Sequence, residues 1–278
     1  MSSKKKIRII IGSLNVGGTE KQVIQILNGL YKKKWSIELI TINGKGKLTK
    51  LLNKNIKVKC IASKKIIKIL LPIKYIFSLY KIFKKDPKTL THFFLPQSYI
   101  LGMIASIIAK TSCKLIMSRR SLNFYQNNYF FCKKIEKFLH KKIDKILVNS
   151  LAIKKQLVKE ENVKNEKIKL IYNGIKLKNE KKTKKTNSKK FNISIVANLI
   201  PYKCHNILFE ALNSAKGQLP IKWKLFCIGR NDGIKKNLIN LSKKLKIDKN
   251  IIWVETLKVD KILQNSDVGV LCSNEEGF

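Results

Sequence analysis

The feature that most limits the fold of this chain is an alternation of short β-rich runs with helical repeats, sustained from one end to the other. Ile7-Arg8-Ile9-Ile10-Ile11 reads as a buried strand. A glycine loop follows, and then a helix from about Glu20 whose apolar face is Val23, Ile24, Leu27 and Leu30. The same rhythm predicts strands over 37–42, 89–94 (ending near His92), 145–149 and 168–171. It predicts helices over 100–108 and 130–143, one opening with Pro72 in its first turn, and one N-capped by Ser150. Residues 176–190 lose all periodicity and consist mainly of Lys, Thr, Asn and Ser, as a linker does. Beyond them the alternation resumes, with strands over 192–197, 223–228, 251–254 and 268–271, and helices over 205–216, 232–245 and 259–265. The predicted class is α/β: two doubly wound domains with mainly parallel sheets, residues 1–175 and 191–278. No short repeat is visible.

Hydrophobic residues make up 44% of the chain, enough for packed cores. The formal charge of +42 has two readings: attraction to nucleic acid or an anionic membrane surface, or compositional drift, since the lysines run along the whole length. Six cysteines stand at positions 60, 113, 132, 204, 227 and 272, without metal or redox spacing. Reduced, mostly buried thiols and a cytoplasmic location are therefore expected. The apolar run after Lys4-Lys5-Lys6 stops at Gly12, too short for a signal-peptide core, and no uninterrupted apolar stretch is long enough to span a bilayer. The helix over 73–85, aromatic on one face and lysine-rich opposite, would suit a membrane surface; packing on the first sheet is the plainer reading.

In doubly wound folds, ligands sit where strands hand over to helices. Three such loops carry polar or glycine signals. Gly12 to Glu20 places Gly17-Gly18 just before a helix, whose free N–H groups and partial positive charge suit a diphosphate. It lacks the dinucleotide-binding spacing. Ala197 to His205 offers Lys203 as a cation for phosphate. Ser273-Asn274-Glu275-Glu276-Gly277-Phe278 offers carboxylates able to accept hydrogen bonds from sugar hydroxyls. Each alone is weak: a Gly-Gly is usually a turn, and one lysine means little in so basic a chain.

In this order the segments resemble the retaining glycosyltransferases of family 4, which have the GT-B architecture of two Rossmann-like domains facing a cleft. Gly17-Gly18-Thr19-Glu20 looks like that family's first loop, and Ser118 to Tyr125 resembles a stretch of its polysaccharide-building members. Val148-Asn149-Ser150 and Ile171 to Ile175 look like its end-of-first-domain signatures. Val196 to Lys203 resembles its phosphate loop, and residues 228–233 and 267–271 follow in register. Glu275-Glu276-Gly277-Phe278 looks like the start of its paired-glutamate motif.

The resemblance implies a transfer of sugar from a nucleotide-sugar donor to a glycan or lipid-linked acceptor, with retention and without metal or cofactor. Surface polysaccharide synthesis at the inner face of the membrane would be its setting, with no specific nucleic acid as partner. It implies that Gly17 and Gly18 lie against the donor diphosphate, that Lys203 neutralises the leaving group, and that Glu276, with Gly277 and Phe278, holds the donor sugar. His92 matches a histidine that contacts sugar or acceptor in some members; a lone His is as often structural. Arg119 and Arg120 would receive an anionic acceptor or simply face solvent. Two departures stand out. No arginine occupies Asn198 or Ile200, and Cys204 replaces the glycine that usually follows the lysine. The motif's second glutamate would fall after Phe278, so the expectation is a truncated second domain, inactive alone. Two other readings remain: a basic nucleic-acid or polyanion-binding protein, resting on charge alone, and a sugar-nucleotide epimerase on the same architecture.

Overall fold

The computed structural model describes residues 5–61, 70–128, 130–175, 190–255, 259–274 and 276. The chain divides into two compact units, residues 1–175 and 176–276. Nearly all of the expected linker lies outside the described residues.

The first unit runs β1 (Lys6–Ile11), α1 (Gly18–Lys32), β2 (Ser36–Thr41), β3 (Val58–Cys60), α2 (Leu71–Lys85), β4 (Leu90–Phe94), α3 (Pro96–Ile108), β5 (Leu115–Arg119), α4 (Phe130–Lys142), β6 (Lys145–Val148), α5 (Leu151–Glu161) and β7 (Ile168–Leu170). Among the described residues its seven strands are ordered β3-β2-β1-β4-β5-β6-β7, all parallel. The strand order reverses between β1 and β4, where such sheets open a crevice at their carboxyl ends.

Alternation along β1 feeds two cores. Ile7, Ile9 and Ile11 pack with Val23 and Leu27 of α1 and Phe94 of β4. Ile10 belongs to the other core, with Leu79 and Phe83 of α2, Tyr99 of α3, Leu139 of α4 and Ile153 of α5. Each of these side chains contributes about 1.5–3 kcal/mol by leaving water. Arg8 shares that second face; its guanidinium lies over the Phe83 ring and its Nε donates to Glu38 at 2.8 Å.

The local signals act as expected. Pro72 sits in the first turn of α2, and Ser150 Oγ accepts from the Ile153 N–H at 3.2 Å. Two expectations change. Strand β4 ends at Phe94, as the 89–94 reading has it, but His92 lies inside the strand, paired with Ile9 and Ile116, rather than near its end. Helix α2 buries Tyr75, Leu79, Ile82 and Phe83, while Ile73 and Phe77 stay exposed, so its apolar residues divide between core and surface. Strands β3 and β5 carry no hydrophobic period of their own; they form because neighbouring strands supply their hydrogen-bond partners.

The second unit runs β8 (Phe191–Val196), α6 (His205–Ser214), β9 (Trp223–Ile228), α7 (Lys235–Lys244), β10 (Ile251–Val254), α8 (Val259–Gln264) and β11 (Val268–Val270). The sheet order is β10-β9-β8-β11, all parallel, over a core of Ile193, Ile195, Leu208, Phe209, Trp223 and Leu225. Helix α7 starts later than its periodicity suggests. Asn231 Oδ1 accepts from the N–H groups of Gly233 and Lys235, closing a turn before the helix.

Candidate active site

Strands β8 and β11 are neighbours, so the loops leaving their carboxyl ends emerge side by side. Lys203 closes a 3-10 turn, Pro201–Lys203, in the first of these loops, and Glu276 lies in the second. Their side chains meet: Lys203 Nζ donates to Glu276 Oε1 at 2.6 Å, with 17% and 30% exposure. The loops are fastened by backbone. The Asn274 N–H donates to the Tyr202 carbonyl at 3.0 Å, and Cys272 Sγ approaches the carbonyls of Lys203 and Cys204 at 3.3 Å each.

The loop after β9 completes this edge. Asn198 Oδ1 accepts from the Arg230 N–H at 3.2 Å, and the Leu199 N–H donates to the Arg230 carbonyl at 2.9 Å. Gly229 makes the approach possible: a Cβ there would stand 1.9 Å from the Ala197 carbonyl oxygen. One of the two positions expected to hold an arginine, Asn198, is thus structural, buttressing the strand end that carries Arg230. That guanidinium forms a two-pronged ion pair with Asp232, at 2.6 and 2.9 Å. The sequence reading gave Arg230 no role. Its signal was a basic residue directly after the glycine that ends a strand.

Cys204 takes φ +53° and ψ +39°, the left-handed conformation that favours glycine. The substitution therefore leaves the loop's backbone as a glycine would set it, at a cost of about 1–2 kcal/mol. His205 follows at the start of α6, fully buried, with neither ring nitrogen hydrogen-bonded. Burial and then the nearby Lys203 charge push its pKa down to about 4, so it is neutral near pH 7. The sequence reading missed it as well. Burial also raises the Cys227 thiol to about 12 and shifts Cys272 upward, so these thiols are poor nucleophiles. Glu275, Gly277 and Phe278 lie outside the described residues.

In the first unit, Gly17 is the extended residue before α1 and makes no side-chain cap. The Glu20 carboxylate folds back over it: a Cβ on Gly17 would fall 2.3 Å from Glu20 Oε2. A Cβ on Gly18 would meet nothing within 4 Å. His92 is 7% exposed; Nε2 pairs with Ser118 Oγ at 2.9 Å and the ring lies 4.1 Å from that of Phe94. Burial, then the Arg120 charge, lower its pKa to about 3, so the ring is a neutral hydrogen-bonding group.

The two arginines at the end of β5 part company. Arg119 neither faces solvent nor awaits a ligand. It is 2% exposed and bridges Glu136 and Glu161, each at 3.1 Å. Tyr125 and Gln126 also bond Glu136, while His140 joins Glu161 at 2.9 Å and Tyr99 at 2.8 Å. Burial alone would raise the Glu161 carboxyl, but the His140 hydrogen bond and the Arg119 charge outweigh it and hold it low. Glu136, His140 and Glu161 stand close enough to ligate a metal. Arg119 already answers both carboxylates, and a dication there would face that guanidinium, so the cluster fits an ion network rather than a metal. Arg120 is half-buried, and desolvation lowers its pKa.

Two parallel Rossmann-like sheets, with an ammonium and a carboxylate meeting at the carboxyl edge of the second, match the architecture of the GT-B glycosyltransferases. The family model "Glycosyltransferase Family 4" matches residues 16–179, and "Glycosyl transferases group 1" matches residues 176–278; the chain belongs to the family 4 glycosyltransferases. Solved structures share the fold. The lipopolysaccharide outer core galactosyltransferase WaaB, apo form, has 19% identity and a TM-score of 0.68, covering 98% of this chain and 75% of its own. Alr3699/HepE from Anabaena, in complex with UDP and glucose, has 18% identity and a TM-score of 0.76, covering 99% and 76%. A mutant of TarM from S. aureus, in complex with fondaparinux, alpha-GlcNAc-glycerol and UDP, has 13% identity and a TM-score of 0.73, covering 98% and 82%. A search of the curated proteins gives no match. No helix among the described residues is long and apolar enough to cross a membrane.

Proposed function

We propose that this glycosyltransferase moves a hexosyl unit from a UDP-sugar to a glycan or lipid-linked acceptor, with retention of configuration, in the synthesis of a surface polysaccharide. The observation that carries the reading is the contact between Lys203 and Glu276, brought together from loops 73 residues apart. Near neutral pH, an ammonium beside a carboxylate at a strand-end edge is prepared for a ligand that has both phosphate and hydroxyl groups. On binding, Lys203 would turn to the diphosphate and stabilise it as the glycosidic bond breaks, while Glu276 accepts from donor hydroxyls. Gly17 and Gly18, at the start of α1, take the diphosphate side of the donor in this reading, and His92, as a neutral ring, a hydroxyl of donor or acceptor. Neither metal nor cofactor is required, since cationic side chains and helix N–H groups supply the charge. UDP complexes of Alr3699/HepE and TarM support uridine as the base. The charge of +42 supports an anionic membrane surface, on the cytoplasmic side, as the place of work. The test is release of UDP from a panel of UDP-sugars with glycan and lipid-linked acceptors, and anomeric analysis of the product by NMR. No turnover with any donor, or an inverted product, removes the reading; an epimerised UDP-sugar replaces it.

A further inference from the structure

The two loops that bring Lys203 to Glu276 each hold a cysteine. Cys204 follows the lysine and is 3% exposed; Cys272 stands shortly before the glutamate and is half-buried. The Cys272 thiol donates to the carbonyl of Cys204 itself and to that of Lys203, Sγ standing 3.3 Å from each oxygen. Cys204 Sγ lies 3.4 Å from the Tyr202 carbonyl, and the same carbonyl accepts from the Asn274 N–H at 3.0 Å. Both sulfurs therefore rest against the one turn that carries Lys203. A disulfide needs its two Cα atoms within about 7 Å. A sulfur already against the partner cysteine's own peptide group, in loops tied by a backbone hydrogen bond, is a side-chain rotation and a small shift away from that geometry.

Packing does not explain Cys204. Its backbone has the left-handed conformation that favours glycine, φ +53°. Among the described residues, its side chain lies outside the hydrophobic core of the second unit. What cysteine adds over glycine at this position is a thiol. Of the remaining cysteines, Cys60, Cys113 and Cys132 belong to the first unit, and Cys227 is closed in the second core.

We propose that Cys204 and Cys272 are a redox pair, which a small disulfide of the glutathione type converts to a bridge between the Lys203 loop and the Glu276 loop. Cys272, the more accessible member, reacts first. Its thiolate attacks one sulfur of the oxidant, a mixed disulfide forms, and one glutathione leaves as thiolate and takes up the proton that Cys272 gave up. The Cys204 thiolate then attacks the Cys272 sulfur and releases the second glutathione. The protein loses two hydrogens, and one oxidised glutathione becomes two thiols. Burial holds the Cys272 thiol above its ordinary pKa, so oxidation is slow near neutrality and quickens as pH rises. The effect on catalysis rests on the donor-site reading above: Lys203 must leave Glu276 to meet the diphosphate, and a bridge at the next residue holds both loops where they are.

The test uses the 278-residue chain with Cys60→Ser and Cys132→Ser, which removes the accessible thiols of the first unit. After oxidised glutathione and digestion without reduction, mass spectrometry is expected to find the Cys204 and Cys272 peptides joined, two hydrogens lighter, and separated again by dithiothreitol. The bridge should raise the melting temperature, since it closes a long loop. It should also weaken UDP binding in calorimetry, and slow transfer, by about tenfold or more against the reduced chain. Cys204→Gly, which suits the left-handed backbone, and Cys272→Ser should each respond equally with and without oxidant. Absence of the Cys204–Cys272 peptide, or Cys272 joined to Cys227 instead, overturns the pair. A complete bridge that leaves UDP affinity and transfer unchanged overturns the switch. A reduced chain that neither binds UDP nor transfers sugar overturns the transfer reading and the switch with it, while the digest still decides the bridge.

Discussion

Lys203 and Glu276 are 73 residues apart in the chain, yet Nζ and Oε1 lie 2.6 Å from each other. Adjacency of β8 and β11 produces this contact, and it sets the first prediction. Lys203→Ala should lower kcat for sugar transfer about 100-fold, because the lost cation matters most as the leaving diphosphate gains charge. Glu276→Gln keeps the shape and loses the charge-assisted hydrogen bonds to hydroxyls, so transfer should fall by about tenfold or more. Steady-state kinetics on both variants checks this; unchanged kcat in Lys203→Ala would remove the lysine from the chemistry.

Gly18 offers a separate test of the first loop. Nothing in the protein stands where its Cβ would go, so Gly18→Ala should leave the melting temperature unchanged or slightly raised, by at most about 1 kcal/mol of stability. If the donor diphosphate approaches this backbone, the same methyl should weaken UDP binding about tenfold or more, since the ligand would have to shift. Thermal melts and calorimetric titration with UDP separate the two effects. Undiminished UDP affinity would place the diphosphate elsewhere.

Breaking the buried network around Arg119 should cost the first unit far more than breaking an exposed ion pair. Arg119→Leu leaves Glu136 and Glu161 facing each other without their cation, and should cost about 3–5 kcal/mol in urea unfolding. The Lys6–Asp86 pair is partly exposed, so Lys6→Ala should cost under about 1 kcal/mol. Similar losses from the two variants would contradict this ranking.

His92 predicts an acid limb to stability. Its folded pKa, about 3, lies below the ordinary 6.5, so the folded state refuses a proton that the unfolded chain accepts. The contribution is fully present above about pH 6.5 and fades as pH falls toward 3, with a slope of up to about 1.4 kcal/mol per pH unit. His205, held near 4, adds to the same limb. His92→Gln should flatten the dependence of unfolding free energy on pH between 6.5 and 4.5. An unchanged slope would show that His92 titrates normally in the fold.

Much of the fold was legible because its signals are local. The strands over 223–228 and 251–254, the Ser150 cap and the Pro72 helix start follow from composition and spacing along a few residues. Strand β5 was harder: Leu115–Arg119 ends on polar residues whose burial depends on partners 17 to 42 positions away. The site shows the same division. Lys203, Glu276, Gly17 and Gly18 were singled out by motif and by position after strands. Arg230 and His205 were not: Arg230 is marked only by its place after the glycine that ends a strand, and a histidine carries no mark in the sequence of where the sheet will put it.

By itself, then, the sequence determined the α/β alternation, the division into two Rossmann-like units and the loops that bear the candidate site, since hydrophobic period and turn residues act over single elements. Only the tertiary structure decided what those residues meet. It turned Arg119 from a prospective ligand contact or solvent-facing side chain into the centre of a buried ion network, set His92 inside β4 against Ser118, and showed Cys204 adopting a glycine's conformation. It also joined Lys203 to Glu276, because charges and hydrogen bonds act through space, and the order of strands in a sheet, rather than their order in the chain, determines which loops are neighbours.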